Sequence, residues 1–181
     1  MDALGMIEVN SIAVGIEVGD VMLKTAGVEL ASAQPVCCGK YILMVRGGVA
    51  EVRSSVEAGL EIAKECLVDS LVIPNVHRQV FSALSCATEV QGSGAIGVIE
   101  TFSLTASILA SDAAVKAADV DLIEIRLGRG LGGKSFVVLT GDVSAVRFAI
   151  EAAAGNRQSE GMIARTTVIP SPGPELMRAL L

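Results

Sequence analysis

An internal repeat constrains the fold of this chain more than any other feature of its sequence. The segment 4–8 (Leu-Gly-Met-Ile-Glu) returns at 96–100 as Ile-Gly-Val-Ile-Glu. The match continues in order through Ser11 with Ser103, Asp20 with Asp112, Lys24 with Lys116, Gly47 with Gly141, and 72–74 with 168–170. A colinear match of this length predicts two copies of one structural unit. We place the copies at residues 1–91 and 94–181, joined by a short flexible linker at 91–94.

The order of apolar runs, caps and turns within each copy predicts a mixed fold. In the first copy, strands are predicted at 3–9, 28–36, 41–46 and 67–73, and helices at 12–26 and 49–65. Ser11 is the predicted N-cap of the first helix, and Asn75 that of a short terminal helix. Ser171 with Pro172 gives the same start signal in the second copy. The order β-α-β-β-α-β plus a terminal helix, present twice, predicts an α+β protein of two tandem ferredoxin-like domains.

The composition argues against several classes of protein. A formal net charge of −6 and the lack of a basic run argue against nucleic acid as a partner. No run approaches the ~18 apolar residues of a membrane helix, and the first residues lack the pattern of a signal peptide. We therefore expect a cytoplasmic protein with reduced thiols, in which Cys66 and Cys86 are small core residues.

Three repeated motifs cover most of the chain. They are the strand motif at 4–8 and 96–101, the helix end at 22–28 and 114–120, and a Gly-Lys turn leading to 47–49 and 141–143. In this order they resemble the unpermuted shell domain of bacterial microcompartments. The resemblance implies a structural shell protein and not an enzyme. It also implies a homotrimer that mimics a hexamer and tiles edge to edge with other microcompartment shell proteins.

Lys24 and Lys116 occupy equivalent places at the ends of two predicted helices. A lysine there is favoured by the helix dipole whatever the function of the protein. The resemblance to shell proteins implies a further role, in which both lysines lie at the assembly edges where neighbouring plates meet.

Cys37 and Cys38 are adjacent in the turn between two predicted strands of the first copy. Adjacent cysteines rarely form a disulfide with each other, and the chain has no Cys-x-x-Cys pattern for a self-contained metal site. A three-fold axis would bring three such turns together, enough thiolates for three irons of a cubane cluster. From the chemistry alone, two ordinary turn cysteines are the favoured interpretation.

The resemblance extends to tandem shell proteins of propanediol-utilisation compartments, in which a first-copy turn cysteine holds an iron–sulfur cluster on the three-fold axis. It implies that Cys37 is a metal ligand for one [4Fe-4S] cluster per trimer. Such a cluster would serve electron transfer across the shell, or delivery of clusters to encapsulated redox enzymes. The related pattern has proline where this chain has Cys38, so Cys38 is a second candidate ligand, a pore-lining thiol, or neither.

The matching turn of the second copy, residues 128–134, is rich in glycine. With Ser135 it formally fits the phosphate-binding loop pattern, but an apolar strand is predicted after it where that motif requires a helix. Nucleotide binding is therefore not expected, and the repeat maps this turn onto the cysteine turn. The predicted pore-lining residues are Cys37, Cys38, Gly39, Gly130, Leu131 and Gly132. Arg129 either adds positive charge at the pore or is simply solvated.

Two other functions stay open from the sequence. One is a shell tile without a cofactor, whose axis is a metabolite pore. The other is a soluble ferredoxin-like protein that binds a ligand or performs redox chemistry. No catalytic set can be assigned, because Glu8 and Glu100 correspond through the repeat and do not form an acid–base couple. His77, the sole histidine, is expected in a structural turn.

Overall fold

The computed structural model describes residues 2–90 and 94–180. Contacts divide the chain into two compact units, with the boundary between Val76 and His77. Residues 91–93 of the predicted linker lie outside the described ranges. The domain limits predicted from the repeat, 1–91 and 94–181, stay a prediction. By their contacts, residues 77–90 belong to the second compact unit.

The first unit is a four-stranded antiparallel sheet covered by two helices. Its elements are β1 (Ala3–Val9), α1 (Ile12–Thr25), β2 (Glu29–Val36), β3 (Lys40–Gly47), α2 (Val49–Ala63) and β4 (Leu67–Ile73). The strand order is β2-β3-β1-β4, so β3 and β1 are the inner strands. The Ser11 hydroxyl accepts a hydrogen bond from the Val14 amide and caps α1 as predicted. The predicted order of elements is confirmed.

Two glycines allow α1 to lie close against β3. A Cβ at Gly15 would lie 2.6 Å from Cδ1 of Tyr41, and one at Gly19 would lie 2.8 Å from Cδ1 of Leu43. Buried apolar side chains of β1, β3, α1 and α2 form one core. Its members include Ile7, Val9, Val18, Met22, Val52 and Val56.

The second unit repeats this arrangement and carries two additional helices. Its elements are α3 (Arg78–Leu84), β5 (Ala95–Thr101), α4 (Leu104–Ala117), β6 (Val120–Leu127), β7 (Ser135–Gly141), α5 (Val143–Ala154), β8 (Ile163–Ile169) and α6 (Pro174–Leu180). The strand order β6-β7-β5-β8 is equivalent to that of the first unit. The α+β fold with two unpermuted β-α-β-β-α-β copies is therefore confirmed.

The two faces of the second sheet are covered by different helices. A Cβ at Gly97 would meet Val146 and Ile150 of α5, so this residue points toward α5. Ile96, its neighbour on β5, packs with Met177 of α6. Because side chains alternate along a strand, α6 covers the face opposite α5.

The helix that follows the first copy is fixed to β6 of the second. The Gln79 side chain donates to the Asp121 carboxylate at 3.0 Å and accepts from the Leu122 amide at 2.9 Å. The Thr88 hydroxyl donates to the carbonyl of Ile123 at 2.8 Å. These bonds explain why residues 77–90 belong to the second compact unit.

Both terminal helices begin later than predicted. Asn75 does not cap α3; it lies in a turn with a φ of 58°, a left-handed conformation that asparagine tolerates. The helix begins after His77. In the second copy α6 begins at Pro174 and not at Ser171 or Pro172. The fixed φ of proline suits a first helical position, so the later proline provides the start signal.

Candidate functional site

The predicted cysteine turn closes the hairpin between β2 and β3. Val36, the last residue of β2, pairs with Lys40, the first of β3, so only residues 37–39 lie between the strands. Cys38 and Gly39 have left-handed φ values of 63° and 73°. This conformation favours glycine, and it is unusual for a side chain such as that of cysteine. The turn is therefore short, and two of its three residues have left-handed backbone conformations.

The two cysteines differ in exposure. Cys38 is exposed at the tip of the hairpin, and Cys37 is partly buried. Thiolates are the ligands that iron–sulfur clusters prefer, so the donor chemistry of this turn fits such a group. Within the described ranges of one chain, no group of three His, Cys, Asp or Glu side chains could hold a metal ion. The residues fit a cluster only if several copies of the turn contribute to it.

An ion pair lies at the base of the cysteine turn. Lys40 Nζ donates to Glu8 Oε1 at 2.8 Å. The Glu8 side chain is only 3% exposed and that of Lys40 is 28% exposed. The repeat relates Glu8 to Glu100 but does not indicate that Lys40 is its partner. The available signal was that a lysine follows the turn in both copies.

The turn of the second copy is longer and rich in glycine. Seven residues separate Leu127, the end of β6, from Ser135, the start of β7. Glycines 128, 130, 132 and 133 all have left-handed φ values, and a Cβ would meet nothing within 4 Å at 130, 132 or 133. The strand β7 follows directly, so the helix that a phosphate-binding loop requires does not follow this turn.

The second-copy lysine also pairs with the matching glutamate, but loosely. Lys134 Nζ lies 3.8 Å from Glu100 Oε2, and the two side chains are 47% and 44% exposed. The ammonium of Lys134 also lies over the ring of Phe102, 5.9 Å from its centroid. The two copies thus share an ion pair at the turn but bury it to different degrees.

The predicted edge lysines are both in the last turn of a helix. Lys24 pairs with Asp20 at 2.7 Å, and its side chain is 74% exposed. Lys116 pairs with Asp112 at 2.5 Å and is half-exposed. Asp112 also accepts a hydrogen bond from the backbone amide of His77, which precedes α3. Lys116 is therefore held more firmly than Lys24.

The two remaining cysteines lie far from this chemistry in the chain. Cys66 is partly buried against the first core, as predicted. The prediction for Cys86 was wrong, since this residue is exposed after the end of α3. Its φ of 50° is the left-handed conformation that often follows the end of a helix. Among the described helices, none has the length and apolarity to cross a bilayer.

Comparison with known protein families finds the same domain twice in this chain. The sequence profile of the BMC domain matches residues 3–76 and again residues 95–172. The chain belongs to the BMC-domain family of bacterial microcompartment shell proteins. It is a structural component of the shell and not an enzyme. The two matched segments correspond to the two four-stranded sheets.

Individual members of the family are similar over nearly the whole chain. The bacterial microcompartment shell protein PduT of Citrobacter freundii is 40% identical over 179 residues, 99% of this chain and 97% of that protein. The carboxysome assembly protein CcmO of Synechococcus elongatus is 32% identical, covering 98% of this chain and 68% of that protein.

A crystal structure of a microcompartment protein from Desulfitobacterium hafniense has the same fold. It superimposes with a TM-score of 0.93 at 50% identity, covering 98% of this chain and 99% of that one. The tandem architecture is thus shared along the whole chain.

Proposed function

We propose that this shell protein assembles as a homotrimer whose six domains form one pseudohexameric tile. The tile would contact other shell proteins along its edges, where Lys24 and Lys116 are the proposed contact residues. Two domains of the same fold in one chain support this proposal, because three chains supply the six units of a hexagonal tile.

We further propose that the three first-copy turns meet on the three-fold axis and hold one [4Fe-4S] cluster. Cys37 is the proposed ligand, and Cys38 is the second candidate. The observation that carries the proposal is the pair of adjacent thiols on a three-residue turn at the tip of a hairpin. When bound, the cluster would supply one-electron transfer, and its electrons would pass between redox enzymes inside the shell and carriers outside.

The chain's own residues would hold the turn in place. The left-handed Gly39 allows the backbone to reverse within three residues, and no atom of the described residues beyond its chain neighbours lies within 4 Å of where its Cβ would be. The second-copy turn offers no thiol and would line the same axis through Gly130, Leu131 and Gly132. A tile with an open pore and no cluster is the alternative function, which the long glycine-rich turn favours.

Anaerobic purification followed by absorption spectroscopy and analysis of iron and sulfide per trimer tests the proposal. We expect a brown trimer with about four irons, the number in a cubane cluster. Cys37→Ala should lose the iron. Cys86→Ala is the matched control, because Cys86 is exposed with a left-handed backbone like Cys38 but lies in the other unit.

The variants also separate the possible ligands. Loss of iron in Cys38→Ala with retention in Cys37→Ala would transfer the ligand role to Cys38. A colourless, iron-free trimer of the unaltered protein would refute the cluster and favour the open pore. A monomer in light scattering would refute the tile itself.

A further inference from the structure

The Glu8–Lys40 ion pair connects the cysteine turn to the centre of the first sheet. Glu8 lies on the inner strand β1, where its register partner on β3 is Ile42. Lys40 is two residues before Ile42, so its side chain is on the same face of the sheet and is a diagonal neighbour of Glu8. The 2.8 Å bond between the two charges is therefore a natural cross-strand contact.

Lys40 is attached to both ends of the turn. It follows Gly39 directly in the chain, and in the ladder it pairs with Val36, the residue before Cys37. Anchoring the Lys40 side chain on β1 thus restrains both stems of the hairpin. A nearly buried carboxylate strongly favours this one arrangement, because the pair's separation would leave a charge without a partner.

The second copy shows the same pair without this restraint. Glu100 and Lys134 are about half-exposed and 3.8 Å apart, at the base of a seven-residue turn. In water such a contact contributes little. The tight version of the pair is found in the copy that carries the cysteines.

We infer that Glu8 and Lys40 are positioning residues that hold the Cys37–Cys38 turn in the geometry needed to bind the proposed cluster. The role in cluster binding rests on the proposed function. The structural part of the inference, that this ion pair fixes the turn, does not. A cluster shared by three chains requires each thiolate to arrive within a fraction of an ångström, and a surface turn without support is too mobile for that.

The main test is the variant Glu8→Gln with Lys40→Met, compared with the matched control Glu100→Gln with Lys134→Met. Removing both charges avoids an unpaired buried ion, so the first variant should fold and form trimers. Its cluster should be lost to an iron chelator about tenfold faster than that of the unaltered protein, from the loss of one charge-assisted hydrogen bond. The electron paramagnetic resonance spectrum of the reduced cluster should also broaden, because the thiolates are less uniformly placed.

The control should match the unaltered protein in both measurements. Lys40→Arg keeps the charge and should retain the cluster nearly as well as the unaltered protein does. Iron loss at the same rate in the Glu8→Gln, Lys40→Met protein as in the unaltered protein would overturn the inference.

Amide hydrogen exchange on the iron-free protein provides a test that needs no cluster. Amides of residues 37–39 should exchange about tenfold more slowly in the unaltered protein than in the Glu8→Gln, Lys40→Met protein, because the ion pair restrains the turn in the first of these. Equal exchange in the two proteins would refute the structural part. A colourless protein with a slow first turn would instead refute the cluster and leave the positioning role intact.

Discussion

The contact of Gly15 with Tyr41 is the most sharply defined packing constraint near the cysteine turn. Tyr41 follows Lys40 on β3, and its ring lies against α1 at Gly15. A Cβ at this glycine would lie 2.6 Å from Cδ1 of the ring and 2.7 Å from the Tyr41 Cβ. The second distance involves an atom fixed to the backbone, so a rotation of the ring cannot relieve it.

Gly15→Ala should therefore destabilise the first unit. An added methyl group in a packed contact costs about 1–3 kcal/mol, and the severity of these contacts places the cost in the upper half of that range. Alanine gains about 1 kcal/mol over glycine in a helix interior. The net loss should be about 1–2 kcal/mol. It should appear as a lower urea midpoint with an unchanged slope, measured by circular dichroism at one protein concentration.

The second copy supplies the partner substitution for a double-mutant cycle. There Ser107 and Ser135 stand where the first copy has Gly15 and Tyr41. In a Tyr41→Ser background, Gly15→Ala should cost about 1 kcal/mol less than it does alone, the coupling expected of two touching residues. Part of the cost should remain, because serine keeps the Cβ at 2.7 Å. A Gly15→Ala protein as stable as the unaltered one, or additive behaviour in the cycle, would refute this account of the packing.

Two other predictions concern the ends of the helices. Ser11→Ala removes the cap that accepts from the Val14 amide and should lower stability by about 1 kcal/mol, while Ser11→Asp should be nearly neutral, both measured by urea unfolding. Lys24→Glu together with Lys116→Glu should leave the trimer intact but weaken assembly into sheets, measured by electron microscopy and sedimentation; unchanged sheets would refute the edge role. Of the single variants, Lys116→Glu should lower thermal stability more, because it places a second carboxylate beside Asp112, which is 11% exposed.

The sequence predicted the fold well because the signals for its elements are local. Alternating and continuous apolar runs, Ser11 and Ser103 as caps, and glycine-containing turns all act within a few residues of the elements they define. Because the pattern occurs twice in one chain, the assignment in each copy could be compared with that in the other. The starts of α3 and α6 were less well predicted, because several turn-forming residues precede each helix and only one of them is used.

Longer-range features could not be predicted in this way. Nothing local to residues 78–84 indicates that this helix packs on β6, since the bonds from Gln79 involve residues more than forty positions away. The pairing of Glu8 with Lys40 depends on the register of β1 against β3, which the repeat by itself does not specify. The sequence could identify the cysteine turn as a candidate site, but the residues that support it emerged only from the sheet.

The divergence of the two turns gives a physical reason for a duplicated chain. In a ring of six identical single domains, any residue placed at the axis appears six times. In the proposed trimer it appears three times, and the other three positions are free to differ. Three copies of one ligand cysteine suit a cubane cluster with four irons better than six copies do, because each ligand thiolate binds one iron. The first copy has a three-residue turn with a buried ion pair, and the second has a seven-residue turn lined by glycine. This division is what a tile would need if one set of turns binds a ligand and the other set leaves room for it.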